Sequence, residues 1–382
     1  MDESTRSLGR RGIAVAAALI CSGATAAPTS VPDARAGSHD SGTPSVAPQV
    51  SGTVNRLQAV SPVNKQVVWA SGVMGTYAVT TDGGNSWRSG VVPGAETLQF
   101  RDVQGVSAKI AYLLAAGSGT NSRIYKTEDG GATWKLQFQA PDDPNYFYDC
   151  FAFWTPTRGI TMADGLNASG RFPAIGTTDG STWKPVDLPA AQTDEGAFAA
   201  SGTCVATQGE ERAWVVTTNS RVFATRDGGA TWAAYLTPIV GGTGTAGVFT
   251  VAFRDGRHGL IGGGDFVGAT ATDNVARSSD GGRTWRLTAR APVPGAVFGL
   301  AYAQSIGGED GEGDDEDHDE GNSRQHHQNV VVTGPGGAAW TPDEGETWNS
   351  FVGVTGFWAV AFANAHDGWL VGTSGRILKI TF

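Results

Sequence analysis

The chain has 382 residues, of which 40% are hydrophobic and 55 are glycine, and its formal net charge at pH 7 is −10. A chain of this length can bury a large core, and glycine without a collagen-like period belongs to turns. The acidic balance argues against a nucleic-acid partner and against an anionic membrane surface.

Residues 1–26 have the features of a cleaved export signal. A short apolar run over 12–20 follows three arginines, and Ala24-Thr25-Ala26 is a small-residue cleavage site. The run is too short to span a bilayer, so we expect no membrane insertion and a periplasmic or secreted protein. The arginines are Arg6, Arg10 and Arg11.

Two features leave alternatives open at this end of the chain. The pair Arg10-Arg11 is compatible with export by the twin-arginine route instead of the general secretory route. Cys21 is compatible with a lipoprotein, in which this cysteine would carry the lipid. Residues 27–48 carry four prolines among small and polar residues without any periodicity. Such a composition predicts a disordered linker, and we expect the folded domain to span 49–382.

One motif recurs six times in that domain, and its fullest copy is Thr127-Glu128-Asp129-Gly130-Gly131-Ala132-Thr133-Trp134. Asp-Gly between hydrophobic runs predicts a hairpin, because glycine supplies positive φ and the carboxylate accepts from nearby backbone N–H groups. The closing tryptophan can bury its ring beneath the turn, so these residues are expected to be structural. The six aspartates are Asp82, Asp129, Asp179, Asp227, Asp280 and Asp343.

The spacing of the motif predicts an all-β, seven-bladed β-propeller. Successive aspartates are 47, 50, 48, 53 and 63 residues apart, which is the length of a four-stranded antiparallel unit. Only three strands, at 358–362, 369–372 and 376–382, remain for the last blade, so a strand near 49–54 is expected to complete it and close the ring. The seven innermost strands are predicted at 55–61, 98–104, 146–153, 202–207, 248–253, 297–303 and 358–362.

The spacing of 63 is explained by an acidic insertion at 304–328. Nine acids lie within 309–320, and removing them together with Arg324 leaves a net charge of −2 for the rest of the chain. The segment predicts a solvated, disordered loop between the first two strands of the sixth blade. It lacks the ligand spacing of an EF-hand, so we expect no metal and no cofactor, with loose calcium binding as an alternative. Capture of a transition metal by His318, His326 and His327 is a further alternative.

After signal cleavage two cysteines remain, Cys150 and Cys204. Each lies nine residues before the start of its blade's second strand, so the two occupy equivalent positions in neighbouring blades. An oxidising compartment permits a disulfide, whereas the distance between inner strands leaves two buried free thiols as the other interpretation.

The innermost strands of the second and third blades contain charged residues, whereas those of the last three blades are apolar. Small or apolar residues in the late blades are replaced here by Arg101, Asp102 and Asp149. A protein tolerates a buried charge only when the charge is paired with an opposite charge or has a role in binding or catalysis. One interpretation is a ligand pocket at the mouth of the central channel, with Arg101 binding an anionic or hydroxylated group. The other is an ion pair between Arg101 and Asp149 that fixes the order of the blades.

Aromatic side chains complete the predicted pocket. Tyr148, Phe249, Phe298 and Trp358 are interpreted as lying in register with Arg101, where they could provide a stacking surface.

The six motifs resemble the BNR or Asp-box repeat, over about residues 50–382. The resemblance implies a propeller of the sialidase superfamily, with WD40/YVTN-like blades, and that family includes sialidases, xyloglucan-cleaving enzymes, sorting receptors and non-catalytic assembly factors. The chain is most similar to the single-propeller group of photosystem II stability and assembly factors. This similarity includes the size, the export signal and the run Val371-Gly372-Thr373-Ser374-Gly375-Arg376-Ile377, and it implies a non-catalytic binding platform.

The sialidase site does not transfer, since the chain has no Arg-Ile-Pro motif and places only Arg101 on an inner strand. We therefore expect an exported, monomeric propeller that binds a protein or glycan partner at the channel mouth without chemistry of its own. The alternative is a glycoside hydrolase that uses Asp102 and Asp149 as its carboxylate pair.

Overall fold

A computed structural model describes residues 43–268, 273–304 and 329–382. The predicted export signal, the linker as far as residue 42 and residues 305–328 of the acidic loop lie outside the described residues. Among those described, no helix reaches the length and hydrophobicity needed to cross a bilayer.

The described residues form seven four-stranded antiparallel sheets, here called blades I to VII, which confirms the predicted fold. Two single turns of 3₁₀ helix, Gly119–Asn121 and Thr373–Gly375, are the only helical segments described. Blades I to III are β2–β5 (Leu57–Pro62, Val68–Gly72, Thr76–Thr80, Arg88–Val91), β6–β9 (Phe100–Gly105, Ala111–Ala115, Arg123–Thr127, Lys135–Gln139) and β10–β13 (Tyr148–Thr155, Arg158–Ala163, Ala174–Thr177, Lys184–Val186). Blades IV to VI are β14–β17 (Val205–Gln208, Arg212–Val216, Arg221–Thr225, Ala233–Leu236), β18–β21 (Ala246–Phe253, Gly259–Asp265, Val275–Ser278, Arg286–Leu287) and β22–β25 (Gly299–Tyr302, Val330–Gly334, Gly337–Thr341, Asn349–Ser350). Blade VII is β26–β28 (Phe357–Phe362, Asp367–Gly372, Ile377–Thr381) with β1 (Ser45–Gln49) as its outer strand.

The ring closes through β1, which pairs antiparallel with β28 from Ser45 opposite Thr381 to Gln49 opposite Ile377. This strand starts earlier than the predicted 49–54, and four of its five residues lie inside the segment expected to be a linker. Its prolines suggested disorder, but β1 is an edge strand, and an edge strand tolerates Pro48 because the missing N–H is needed on one side only. The first strands of the seven blades contact one another in order and surround the hub.

The six repeated motifs form the turns between the third and fourth strands of blades I to VI, and we call them the Asp turns. In blade II the Thr127 hydroxyl donates to Asp129 Oδ1 at 2.9 Å and accepts from the Gly131 N–H at 2.8 Å. Thr133 donates through its hydroxyl and its N–H to the two carboxylate oxygens of Asp129. These hydrogen bonds lower the pKa of Asp129 to about 2, and the bond from the Thr133 hydroxyl has the largest effect. In blade III the turn is one residue shorter, and Asp179 accepts from the N–H groups of Ser181 and Thr182.

Each Asp turn is also held by the blade that precedes it around the ring. The Tyr77 hydroxyl of blade I donates to the Gly131 carbonyl at 2.6 Å, and Trp214 Nε1 of blade IV donates to the Gly281 carbonyl at 3.0 Å. Hydrogen bonds of the same kind come from a polar group of the preceding blade at the other four turns. They run from Tyr112 Oη to Gly180 O, from Arg158 Nη2 to Gly228 O, from Ala289 N to Gly345 O and from Gln49 Nε2 to Gly83 O.

Blades III and IV are joined by a disulfide between Cys150 and Cys204, with a Cα–Cα distance of 5.8 Å. The equivalent positions of the two cysteines in neighbouring innermost strands therefore bring them within bonding distance, and the alternative of two free thiols is not what the structure shows.

Candidate functional site at the hub of the propeller

The hub is lined by one residue from the start of each innermost strand. In five blades this residue is a β-bulge, where the pairing with the second strand slips by one position and leaves one side chain out of the ladder. In blade I, for example, Leu57 pairs with Gly72 and Ala59 with Ser71, so the residue between them is bulged. The bulged residues are Gln58, Arg101, Asp149, Phe249 and Trp358.

This register corrects one sequence interpretation, since Asp149 and not Tyr148 is equivalent to Arg101. Tyr148 pairs with Ala163 inside the ladder and packs edge-on against Phe138, with ring centroids 5.5 Å apart. Burial raises its pKa above the ordinary value for tyrosine. Tyr148 thus belongs to the core of blades II and III.

The side of the hub formed by blades V to VII is aromatic. Phe249 stacks on Phe298 at 5.1 Å, and Phe298 contacts Trp358 edge-on at 5.2 Å. Phe198 stacks on the other face of this group, 3.9 Å from the Phe249 ring centroid. Phe198 and Trp358 remain partly exposed, so the group presents an aromatic surface at the mouth.

The side formed by blades I to III is charged. The Arg56 guanidinium lies 4.6 Å from the Trp358 ring centroid and so joins the charged side to the aromatic side. Arg101 donates to the Gln99 side chain at 2.9 Å and to the Ala199 carbonyl at 3.1 Å. Burial lowers the pKa of Arg101, and the nearby charge of Asp149 opposes that shift.

Asp149 has no hydrogen-bond partner on either carboxylate oxygen among the described residues, although its side chain is only 1% exposed. No salt bridge joins it to Arg101 within those residues, so the ion pair predicted to fix blade order is not formed by direct contact. Its pKa is raised well above the ordinary value, first by burial and then by Asp164, while Arg101 acts in the opposite direction.

Asp102 has a different role. Its carboxylate accepts from the Val103 N–H at 2.7 Å and from the Phe151 N–H of blade III at 2.8 Å. Burial raises its pKa, and the two hydrogen bonds oppose the shift. Asp102 therefore braces blade II against blade III, and it does not share an open groove with Asp149 as a pair of glycosidase carboxylates would.

A segment that the sequence interpretation missed, 195–201, lies between blade III and β14 and fills part of the hub. Its Glu195 side chain is fully buried, receives a hydrogen bond from Arg221 Nε at 2.8 Å, and thus anchors the segment to blade IV. The Ser201 hydroxyl donates to the Phe298 carbonyl of blade VI. The only local signal for this segment was the acid pair Asp194-Glu195 at the end of a polar run, and a polar run is more often an ordinary loop.

Four hub residues carry buried polar atoms without hydrogen-bond partners among the described residues. They are Arg56 Nε, Gln58 Oε1, Trp358 Nε1 and both oxygens of Asp149. Buried polar groups are nearly always satisfied, so a cluster of exceptions at one place marks a site that a ligand can complete. The site offers donors and acceptors beside an aromatic surface.

No family model matches the chain, and no curated protein sequence matches it. Among solved structures, a structure described as YCF48 bound to D1 peptide is 15% identical, covers 90% of this chain and 98% of its own, and has a TM-score of 0.60. YCF48 from Cyanidioschyzon merolae is 13% identical with a TM-score of 0.60, covering 88% of this chain and 98% of its own. The WD40 propeller domain of Doa1 is 12% identical with a TM-score of 0.50, covering 88% of this chain and 97% of its own. At these identities the likeness shows the fold alone: the chain is a seven-bladed propeller similar to YCF48 and to WD40 domains.

Proposed function

We propose that this protein is an exported, non-catalytic propeller that binds an extended segment of a partner protein at the mouth of its hub. The observation that carries the proposal is the cluster of buried, unpartnered polar atoms on Arg56, Gln58, Asp149 and Trp358. An extended peptide presents both carbonyl acceptors and N–H donors along its backbone, and so it can satisfy both kinds of group at once.

The surroundings of the cluster suit a peptide. The Arg101 guanidinium lies 5.8 Å from the ring centroid of the partly exposed Phe147, and the Arg56 guanidinium lies over the partly exposed Trp358. Aromatic residues and arginine are the residues that dominate binding energy at protein interfaces. One structure of similar fold holds a peptide, which is consistent with this mode of binding.

Export and repeat type are part of the same proposal. The signal-like sequence at 1–26 supports export, and the disulfide between Cys150 and Cys204 suits an oxidising compartment. The hydrogen bonding of the six Asp turns agrees with the Asp-box resemblance, in which the aspartates are structural. Purification of the exported protein should yield a chain that begins at Ala27, which mass spectrometry can measure.

The glycoside hydrolase alternative has little support in the geometry. The Asp102 carboxylate already accepts hydrogen bonds from one backbone N–H of its own blade and one of the neighbouring blade. Both Asp102 and Asp149 are almost completely buried. A general acid and a base or nucleophile must reach the substrate from an accessible cleft.

The test is selection of peptides from a random displayed library on the wild-type protein, followed by affinity measurement with Arg56→Met. This change keeps the apolar stem that covers Trp358 and removes the guanidinium. The matched control is Arg376→Met, because Arg376 lies over the Phe357 ring at 4.7 Å but outside the hub. Affinity should fall about tenfold or more with Arg56→Met and stay unchanged with Arg376→Met.

Equal affinity of the selected peptides for wild type and Arg56→Met would contradict the proposal. So would binding of a glycan array member at the hub in place of any peptide. Hydrolysis of a glycoside panel that disappears in Asp149→Asn would replace the proposal with the enzymatic alternative.

A further inference from the structure

A cavity of about 250 Å³ lies at the outer part of the ring between blades III and IV, away from the hub, and we call it the seam pocket. An engineered cavity of about 150 Å³ in another protein is known to hold benzene, so this volume accommodates one aromatic ring. Its lining includes Trp154, Arg158, Ile160, Lys184 and the backbone of Gly228 and Gly229.

At two other junctions the corresponding space is filled by the chain's own aromatic residues. Tyr112, on the second strand of blade II, stacks on Phe153 of blade III with ring centroids 4.7 Å apart. Trp214, on the second strand of blade IV, stacks on Phe253 of blade V at 3.5 Å. In both cases the polar tip of the ring donates to a glycine carbonyl of the next Asp turn.

Between blades III and IV both members of that pair are small. Strand register places Ile160 at the position of Tyr112 and Trp214, and Thr207 at the position of their ring partners. The third-strand residue that pairs with Ile160 is Gly176, which adds no side chain. Ile160 and Gly176 both line the seam pocket, and they leave open a space that Tyr or Trp fills at the other two junctions.

The other residues that line the seam pocket favour a ligand with an aromatic ring next to an acidic group. Trp154 is fixed by a 2.7 Å hydrogen bond from Nε1 to the Arg212 carbonyl and offers an aromatic wall. The Arg158 guanidinium lies 4.9 Å from the Trp154 ring centroid. Lys184 is exposed at the rim and forms no salt bridge among the described residues. The ionised Asp179 carboxylate also lies in the lining and accepts hydrogen bonds within its own turn, but Arg158 and Lys184 outnumber it, so the net charge of the lining is positive.

We propose that the seam pocket receives a tryptophan or tyrosine side chain of a partner polypeptide that carries an acidic residue next to it. The aromatic ring packs against Trp154, beside the Arg158 guanidinium, and the acidic group faces Lys184. Arg158 here donates to the Gly228 carbonyl, as Tyr112 and Trp214 donate to a glycine carbonyl at their own junctions. This site is separate from the hub and does not depend on the function proposed for the hub.

The test uses short blocked peptides of sequence Ser-Trp-Glu-Ser, Ser-Ala-Glu-Ser and Ser-Trp-Lys-Ser, titrated into the full chain by calorimetry or by NMR. Burial of the aromatic side chain should make the Trp-Glu peptide bind about tenfold to a hundredfold more tightly than the Ala-Glu peptide. The Trp-Lys peptide should bind more weakly than the Trp-Glu peptide, and the difference should shrink at high salt.

The blocking variant is Thr178→Trp, which places an indole at the mouth of the seam pocket from an exposed turn position. Its matched control is Thr81→Trp, the same substitution at the same position of the Asp turn in blade I. Both variants should melt as the wild type does, and only Thr178→Trp should abolish binding of the Trp-Glu peptide. Arg56→Met at the hub should leave that binding unchanged.

Three results would overturn the proposal: equal binding of the Trp-Glu peptide to Thr178→Trp and to Thr81→Trp, equal binding of the Trp-Glu and Ala-Glu peptides, or no binding of the Trp-Glu peptide at millimolar concentration. Binding of maltohexaose at the seam pocket without binding of the peptide would overturn it in favour of a glycan.

Discussion

The Tyr77 hydroxyl of blade I donates a 2.6 Å hydrogen bond to the carbonyl of Gly131 in the Asp turn of blade II. Gly131 has φ of +89°, and a Cβ at this position would lie 2.7 Å from the Tyr77 ring. Glycine is therefore required here both by the backbone conformation and by the approach of the neighbouring blade. An Asp turn thus caps its own hairpin and also joins two blades.

Tyr77→Phe should lower the free energy of unfolding by about 1–3 kcal/mol, because the hydroxyl is lost and the buried Gly131 carbonyl loses this donor. Urea unfolding followed by circular dichroism measures the change. Tyr235→Phe is the control, since Tyr235 is partly exposed and its hydroxyl makes no hydrogen bond among the described residues, and its effect should stay within about 0.5 kcal/mol. Equal effects of the two substitutions would show that the Tyr77 hydrogen bond does not join the blades.

Asp129→Asn should lower stability at neutral pH, and by much less at pH 2. The pKa of Asp129 is lowered to about 2 in the folded state, so its stabilising contribution is complete above about pH 4 and is lost as the pH falls toward 2. Denaturant midpoints measured between pH 2 and 7 should therefore converge at the acid end for wild type and variant. Asp142→Asn, which changes an exposed carboxylate without hydrogen bonds among the described residues, should follow the wild-type curve. A constant difference between Asp129→Asn and wild type across that range would count against the pKa assignment.

Asp164→Asn should have the opposite pH dependence. Burial raises the pKa of Asp164 to about 6, so the folded protein holds a proton that the unfolded chain releases between about pH 4 and 6. Stability contributed by the protonated form is present below about pH 4 and decreases as the pH rises through this window. The variant keeps an acceptor for the Ala197 N–H, which lies 2.9 Å from Asp164, and should be about 1–2 kcal/mol more stable than wild type above pH 6. Urea unfolding at pH 4 and pH 8 checks this, and a variant that is less stable at pH 8 would refute it.

Replacing both Cys150 and Cys204 by alanine should lower the free energy of unfolding by about 2–4 kcal/mol, because the bond restricts the unfolded chain across 54 residues. Thermal unfolding with and without a reducing agent provides the measurement. The reducing agent should destabilise wild type to about the level of the double variant and should not affect the variant itself. If reduction left wild-type stability unchanged, the bond would contribute nothing to the fold.

The blades were predictable because each Asp turn is a local structure, specified by six or seven consecutive residues that hydrogen-bond to one another. The closing strand was placed too late because Pro48 suggests a linker unless the position is known to be an edge. The assignment of Tyr148 to the hub was wrong by one residue, since Tyr148 pairs in the ladder directly before the bulged Asp149, as Phe100 does before the bulged Arg101. Which residue is bulged depends on the pairing with the second strand, and no feature of the local sequence marks it.

The charges at the hub were visible in the sequence, but their states were not. Arg101 and Asp149 were correctly identified as unusual for innermost strands, yet their lack of direct contact depends on the placement of segment 195–201, which contacts Arg101 through Ala199. Such a contact joins residues about a hundred positions apart, so it follows from the tertiary structure and not from any local pattern. Likewise, Asp102 links two blades because its carboxylate accepts a hydrogen bond from the Phe151 N–H of the next blade.

The pairing of β1 with β28 leaves every blade with two neighbours, so the ring has no terminal unit at which fraying can start. β1 makes this closure, and unlike the other outer strands it is not joined by a turn to the strand it pairs with; it is five residues long, mostly exposed and bound on one side only. Detachment of this strand is therefore the natural first step of unfolding. The lifetime of the folded protein will then depend on how fast a few backbone hydrogen bonds open at that edge, more than on the depth of the seven hydrophobic cores.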